Sequence, residues 1–152
     1  MIPFTIEFDF GILVSPSQAQ KNIDLMMARE LEHQFEIAQA IAESTTAFKD
    51  HTYKLRRSIK HEVTGVFSQD TLEARLWSTK RHGAFIEYGT RPHDIRPRRK
   101  KFLAWKDGAG NWHFAKKVRH PGTNATMFLH NSVNESVIAE SLRKALILGM
   151  RE

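Results

Sequence analysis

Apolar and polar residues alternate at the start of the chain, with Ile2, Phe4, Ile6, Phe8 and Phe10 on one side and Thr5, Glu7 and Asp9 on the other. A period of two belongs to a strand with one buried face, so a strand is predicted over 2–10. Gly11 and the Ser15-Pro16-Ser17 cluster interrupt it, and Ser17 is placed to cap a helix whose first turn is Gln18, Ala19 and Gln20. From there Ile23, Met27, Leu31, Phe35, Ala38, Ile41 and Ala42 recur at spacings of three and four, while Lys21, Asp24, Glu32, Glu36 and Glu43 take other faces. The pattern predicts one amphipathic helix of about eight turns, ending or kinking at 44–46. That length suits a helix that packs against neighbours as well as its own domain.

After a polar stretch at Lys49 to Lys54, Leu55-Arg56-Arg57-Ser58-Ile59 leads into short strand-like runs. These are Val63–Phe67, Leu72–Ser78, Phe85–Tyr88, Phe102–Trp105 and Trp112–Ala115. Gly108 and Gly110, flanked by Asp107 and Asn111, read as the loop of a hairpin joining the last two. Phe128, Val133, Val137, Ile138, Ser141, Leu142 and Ala145 return to helical spacing, and Gly149 is placed as a C-terminal cap. The order predicts an α+β fold in which an antiparallel β-sheet packs with a long N-terminal helix and a C-terminal helix. A single domain is expected over 1–152, with 1–14 as an extra N-terminal strand and 89–101 as a basic projecting loop.

The charge distribution sharpens this picture. The formal net charge is +6, yet the segment from Arg91 to Arg119 alone carries ten Lys or Arg against two Asp, an excess of eight. So local a concentration points to an anionic partner, either an acidic protein surface or nucleic acid. The absence of Cys excludes disulfides, thiolate metal sites and a cysteine nucleophile, in keeping with a reducing compartment. Glu7 and Asp9 interrupt the N-terminal apolar pattern, which lacks the basic start of a secretory leader. No apolar run is long enough to span a bilayer, so a soluble, cytoplasmically made product with no membrane partner is expected.

Candidate chemistry is sparse. There is no phosphate-cradling GxxxxGK[ST] loop, no GxSxG elbow and no HExxH pair. His93-Asp94, or His113 with His120, could contribute to a metal-dependent nuclease, but they lie beside Pro and Arg in segments that read as loops rather than fixed, converging elements. Glu73 and Glu87 are the acids of the central strands, and each can simply pair with a neighbouring Arg. Trp77, Trp105 and Trp112 suit core or interface anchoring, with base stacking beside the basic run as the alternative. Neither a catalytic residue nor a cofactor is expected.

The most distinctive stretch runs Phe85-Ile86-Glu87-Tyr88-Gly89-Thr90-Arg91-Pro92-His93-Asp94-Ile95-Arg96-Pro97, then Arg98-Arg99-Lys100-Lys101-Phe102-Leu103-Ala104-Trp105. A strand is expected to end at Tyr88, with Gly89 permitting a sharp exit and Pro92 and Pro97 holding an extended segment outside any ladder. Downstream, Lys116-Lys117-Val118-Arg119-His120-Pro121-Gly122-Thr123 ends in a turn, and Met127-Phe128-Leu129 opens the last helix. This order of E-Y-G-T-R-P-H-x-I-x-P, a basic run, L-A-W and K-x-V-x-H-P-G-T resembles the gp-ten-like tail component family of lambdoid siphophages. The likeness takes in Leu55-Arg56-Arg57-Ser58-Ile59, similar to the family's L-R-x-S-I segment, and covers about 38–146. A Thr-Gly usually precedes that segment, and here Tyr53 stands at the Gly position.

The resemblance implies a structural virion protein of the head-to-tail junction, a neck or tail-completion component with no known catalytic residues. It implies a ring of identical subunits, a hexamer by preference, joined to connector or head-completion proteins and to tail-terminator or tail-tube proteins. Contact with channel DNA is possible in such a ring. Residues expected to meet partners are Arg91, His93, Arg96, Arg98, Arg99, Lys100, Lys101, Lys116, Lys117 and Arg119, because Arg and Lys can engage carboxylates. Tyr88, Gly89, Thr90, Pro92, Pro97, His120, Pro121 and Gly122 are expected to shape the motif. The alternatives are nucleic-acid binding through 91–119 and, behind it, a metal-dependent nuclease.

Overall fold

The computed structural model describes residues 4–7, 18–49, 52–69 and 71–150. In chain order they form β1 (Phe4–Glu7), α1 (Gln18–Ser44), β2 (Ile59–Thr64), β3 (Glu73–Ser78), α2 (Arg81–Tyr88), β4 (His93–Ile95), β5 (Leu103–Lys106), β6 (Trp112–Ala115), β7 (Val118–His120) and α3 (Glu135–Gly149). The architecture is α+β, as the patterning predicts. Of the expected strand over 2–10, only Phe4–Glu7 is among the described residues, and the Ser17 cap lies outside them. No described helix is long and apolar enough to cross a membrane.

The body is built around α1. Ile23, Met27, Leu31, Phe35, Ala38 and Ala42 form its inward stripe, and four of them are fully buried. A three-stranded antiparallel sheet, in the order β1-β3-β2, lies against one side of this helix, and α3 packs along another. The sheet contributes Ile59, Ala74 and Leu76, while α3 contributes Ile138, Leu142 and Ala145. Full burial of each large side chain contributes about 1.5–3 kcal/mol. Ile41 is 49% exposed and does not belong to the stripe. At 100° per residue it falls at the angle of Ile23, the most exposed member of the stripe, at the very edge of the buried arc.

Arg56 ends α1 from a distance. Its guanidinium donates to the carbonyls of Glu43 and Phe48 and lies 4.8 Å from the centre of the Phe48 ring. The Glu43 carbonyl is among the last four of α1, which have no partner within the helix, so a cation there meets both the bonding need and the dipole, while the Phe48 carbonyl ties down the chain that follows. Leu55 and Ile59 are buried beside it, and Ser58 Oγ donates to the Leu55 carbonyl at 2.6 Å. Each fixed position of L-R-x-S-I is therefore buried or bonded, and the variable one, Arg57, is exposed. Tyr53 has φ +55°, in the left-handed region that favours glycine.

Several predicted elements differ. Phe85–Tyr88 is the end of helix α2 rather than a strand, because Gly83 and Glu87, four apart, both face inward. A Cβ at Gly83 would come within 2.9 Å of Ser78 Cβ, so glycine lets α2 sit close to β3. The strand expected at Val63–Phe67 begins earlier, at Ile59, and Phe67 enters the core on a 3₁₀ turn, Phe67–Gln69. The C-terminal helix begins at Glu135, not at Met127-Phe128-Leu129. Asn134 caps it by accepting from the Val137 amide at 3.2 Å. Gly149 is the last helical residue instead of a left-handed cap, and its lack of a side chain lets α3 approach Ile23 and Met26 of α1. The expected continuous central sheet is three separate sheets, β1-β3-β2, β4-β7 and β5-β6.

A candidate docking arm

Residues 90–123 leave the body and return to it as one two-tier hairpin. β4 and β7 make their contacts almost wholly with each other, and so do β5 and β6. The root is a single antiparallel bridge between Thr90 and Thr123. Thr90 N donates to Thr123 O at 2.9 Å, Thr123 N donates back to Thr90 O at 3.1 Å, and the two hydroxyls lie 3.1 Å apart.

Glycine flanks this bridge on both limbs. Gly89 has φ +71° and Gly122 φ +91°. A Cβ on Gly89 would lie 2.4 Å from Thr123 O, and one on Gly122 would lie 2.3 Å from Thr90 O. Any other residue at either place would force the paired backbones apart. The turn read from His120-Pro121-Gly122 is present, with the Gly122 amide donating to His120 Nδ1 at 3.0 Å.

Glu87 anchors the root to the body. Its carboxylate is buried, with Oε2 accepting from the Leu129 amide at 2.9 Å and Oε1 from the His130 amide at 3.1 Å. The backbone carbonyls of Ile86 and Glu87 accept from the amides of Thr126 and Met127. The expected Arg partner of Glu87 is thus replaced by two main-chain amides, whereas Glu73 does pair with Arg75 at 2.9 Å. With both oxygens engaged, Glu87 has a structural use that the sequence conceals.

In the first tier, His93 pairs with His120, Asp94 with Arg119 and Ile95 with Val118. Pro92 and Pro97 stand just outside β4, so the segment between them joins a ladder that the two prolines were expected to prevent. The His93 and His120 rings stack with centroids 5.0 Å apart, and His93 Nδ1 donates to the Arg91 carbonyl at 2.9 Å. Lys117 pairs with Asp94 at 2.8 Å. His113 is elsewhere, at the tip, so His113 and His120 do not converge. No group of three or more His, Asp or Glu among the described residues is arranged to hold a metal.

The second tier is the β5–β6 hairpin, in the register Leu103 to Ala115 and Lys106 to Trp112. Asp107 organises its loop. Oδ1 accepts from the amides of Ala109 and Asn111, both at 2.9 Å, and Oδ2 accepts from His113 Nε2 at 2.8 Å. These bonds, the His113 contact first, hold the Asp107 carboxyl below its ordinary value. Trp105 stacks on His113 at 5.5 Å on one face, while Trp112 stacks on Phe114 at 6.3 Å on the other and carries Lys106 Nζ 5.1 Å above its ring.

Those aromatics are not core. Trp105, Trp112 and Phe114 are 41%, 60% and 67% exposed. Trp77, in β3, is only partly exposed. An isolated two-stranded hairpin is marginal in water, so aromatic stacking on both faces is what shapes the tip and what a partner would cover.

The predicted contact residues gather on this arm but not at one point. Arg98, Arg99, Lys100 and Lys101 occupy the exposed bend between β4 and β5, with Arg96 just before it. Lys116 sits on the opposite limb between β6 and β7, while Arg91 lies next to the root. Both arm carboxylates are engaged, Asp94 by Lys117 and Asp107 by His113. Among the described residues, Arg91, Arg96, Arg98, Arg99, Lys100, Lys101, Lys116 and Arg119 form no ion pair with a carboxylate. Sequence reasoning missed Thr123 and Glu87 as root residues, and Phe114 as a surface aromatic. No family model matches the chain, and neither does any curated protein or solved structure.

Proposed function

We propose that this chain is a structural subunit of a phage head-to-tail junction, a neck or tail-completion protein that assembles as a ring and docks through the arm 90–123. The observation that carries the reading is the arm itself, a hairpin standing off the body with nine cations that pair with no carboxylate and four exposed aromatics, Phe102, Trp105, Trp112 and Phe114. Arg and aromatic side chains are the residues that dominate docking energetics. Arg forks recognise the carboxylates of an acidic protein surface within such an assembly. The motifs that suggest the gp-ten-like tail component family coincide with structural joints. L-R-x-S-I ends α1, E-Y-G-T forms the outgoing root, and H-P-G-T forms the returning one. The ring takes no cofactor, and its place is the virion.

The test is a variant with Gln at Arg98, Arg99, Lys100 and Lys101. Electron microscopy of the resulting lysate should show separate heads and tails, with the purified variant folded as the parent is. Normal joined particles, or particles that lack the chain altogether, would reject the reading.

Nucleic-acid binding is the second reading, favoured by Trp105 and Trp112 exposed beside the basic bend. Stacking on such rings contributes about 1–3 kcal/mol per base. Affinity would then fall steeply with salt, by a slope of about 0.7 per phosphate contact on a single strand. A filter-binding titration at two salt concentrations separates the readings, since the docking role predicts little saturable affinity.

A further inference from the structure

The arm's uncompensated charge has a counterpart on the same chain. From Glu30 to Ser44, α1 carries four Glu and no Lys or Arg. Their carboxylates have no Lys or Arg partner among the described residues. Glu30 and Glu43 accept from Gln34 and Gln39, Glu32 meets His61 Nε2 at 3.1 Å, and Glu36 lies 3.9 Å from His33. At 100° per residue Leu25, Glu32, Glu36 and Glu43 fall within about 40° of arc. Glu32 and Glu36 are 54% and 74% exposed. Leu25, on the same stripe, is 50% exposed and gives it an apolar end. The cations beside the stripe, Lys21 and Arg29, both come before its acidic half.

We propose that the acceptor for the arm is this exposed face of α1 on a second copy of the chain. The inference rests on the assembly reading and specifies the contact that makes the ring. Charge and apolar character match on both sides. Arg96, Arg98, Arg99, Lys100 and Lys101 meet the Glu32, Glu36 and Glu43 line, and the tip rings of Trp112 and Phe114 meet Leu25 on the same line. A single strand of nucleic acid would satisfy the cations and rings but would leave the acidic stripe uncovered. Within one subunit no ion pair joins arm to α1. Arm and acceptor are different patches, so the contact is heterologous, and repetition of it closes a ring if the rotation between copies allows.

The absence of native cysteine makes the test direct. Glu36→Cys and Lys100→Cys are prepared as separate proteins, one enlarged by a tag, then mixed at low salt and oxidised. Only contact between copies yields the mixed disulfide dimer. Its yield should exceed that of a Glu36→Cys and Lys54→Cys pair, where Lys54 is exposed on the body, by about tenfold. Adding Glu32→Lys to the α1 partner should cut the yield to the control level, and adding Arg98→Glu and Arg99→Glu to the arm partner should restore it. Circular dichroism confirms that each variant is folded.

Equal yields for the two pairs, or indifference to charge reversal, overturns the proposal. So does saturable binding of a single-stranded oligonucleotide with no mixed dimer above control. Particles that join normally when α1 carries Glu32→Lys and Glu36→Lys, yet fail when the four arm cations are neutralised, would remove α1 as acceptor and leave the junction role standing. Joining in both variants would remove the junction role as well.

Discussion

Replacing Glu87 by Ala should destabilise the protein more than any exposed substitution on the arm. The carboxylate is only 4% exposed and accepts from two main-chain amides, at 2.9 and 3.1 Å. Hydrogen bonds to a charged group contribute about 1.5–3 kcal/mol each, and an orphaned buried amide costs about 1–3 kcal/mol more. Because these terms overlap, the expected loss is about 3–5 kcal/mol, a large part of the roughly 5–15 kcal/mol that holds such a domain together. Glu87→Gln keeps one acceptor oxygen but turns an NH₂ toward the other amide, so it should lose about half as much. Urea unfolding followed by far-ultraviolet circular dichroism measures both, as a lowered midpoint with unchanged slope. An alanine variant within about 1 kcal/mol of the parent, or a glutamine variant equally unstable, would refute the idea that Glu87 ties the arm's root to the 3₁₀ turn His130–Ser132.

Further outcomes concern the arm and the α1 terminus. Gly122→Ala places a Cβ 2.3 Å from Thr90 O at φ +91°; it should cost at least about 2 kcal/mol at the root, seen as faster exchange of the Thr90 and Thr123 amides with α1 unchanged. Gly108→Ala meets nothing within 4 Å and should stay within about 0.5 kcal/mol of the parent in the same assay. Tyr53→Gly relieves a left-handed φ of +55° at a mostly exposed side chain and should raise stability by about 1 kcal/mol in urea titration. The hairpin tip should loosen in acid. The folded Asp107 carboxyl is held below its ordinary value of 3.8, so the unfolded chain binds the proton first as pH falls. The stabilisation is complete above that value and disappears as the folded group protonates, which the tryptophan signals of Trp105 and Trp112 should report.

Helical periodicity placed α1 with its end at the first residue of the expected range 44–46, because a long helix repeats its pattern many times, and it misplaced only Ile41 at the edge of the stripe. The Asp107–Asn111 loop was equally legible, since Asp and Gly carry their own turn chemistry. The helix α2 was not, because a run as short as Phe85-Ile86-Glu87-Tyr88 suits a strand or a helix alike until a neighbour is present. What made it helical is long-range, the approach of Gly83 to Ser78 and the reach of Glu87 to Leu129 and His130. The late start of α3 has the same origin, for Phe128 and Leu129 are buried by that clamp before the helix begins.

Charge counting found the arm's cations without any structure, but not their arrangement. The pairing of His93–Ile95 with Val118–His120 joins segments far apart in sequence, which local propensity cannot register. It turns an expected loop into one limb of a hairpin. The exposure of Trp105, Trp112 and Phe114 was also hidden, because aromatic residues at strand spacing usually line a core. Here the second sheet layer that would cover them is absent from the described residues.

The most direct measurement replaces Arg91–Gly122 with Asn-Gly, a two-residue turn suited to a hydrogen-bonded pair such as Thr90 and Thr123. Because the arm packs chiefly on itself, the shortened protein should keep its unfolding free energy within about 1 kcal/mol yet fail to join heads to tails when added to a lysate lacking the native chain. Restoration of infectious particles by the armless protein, or collapse of the body without the arm, would contradict a docking role for residues 90–123.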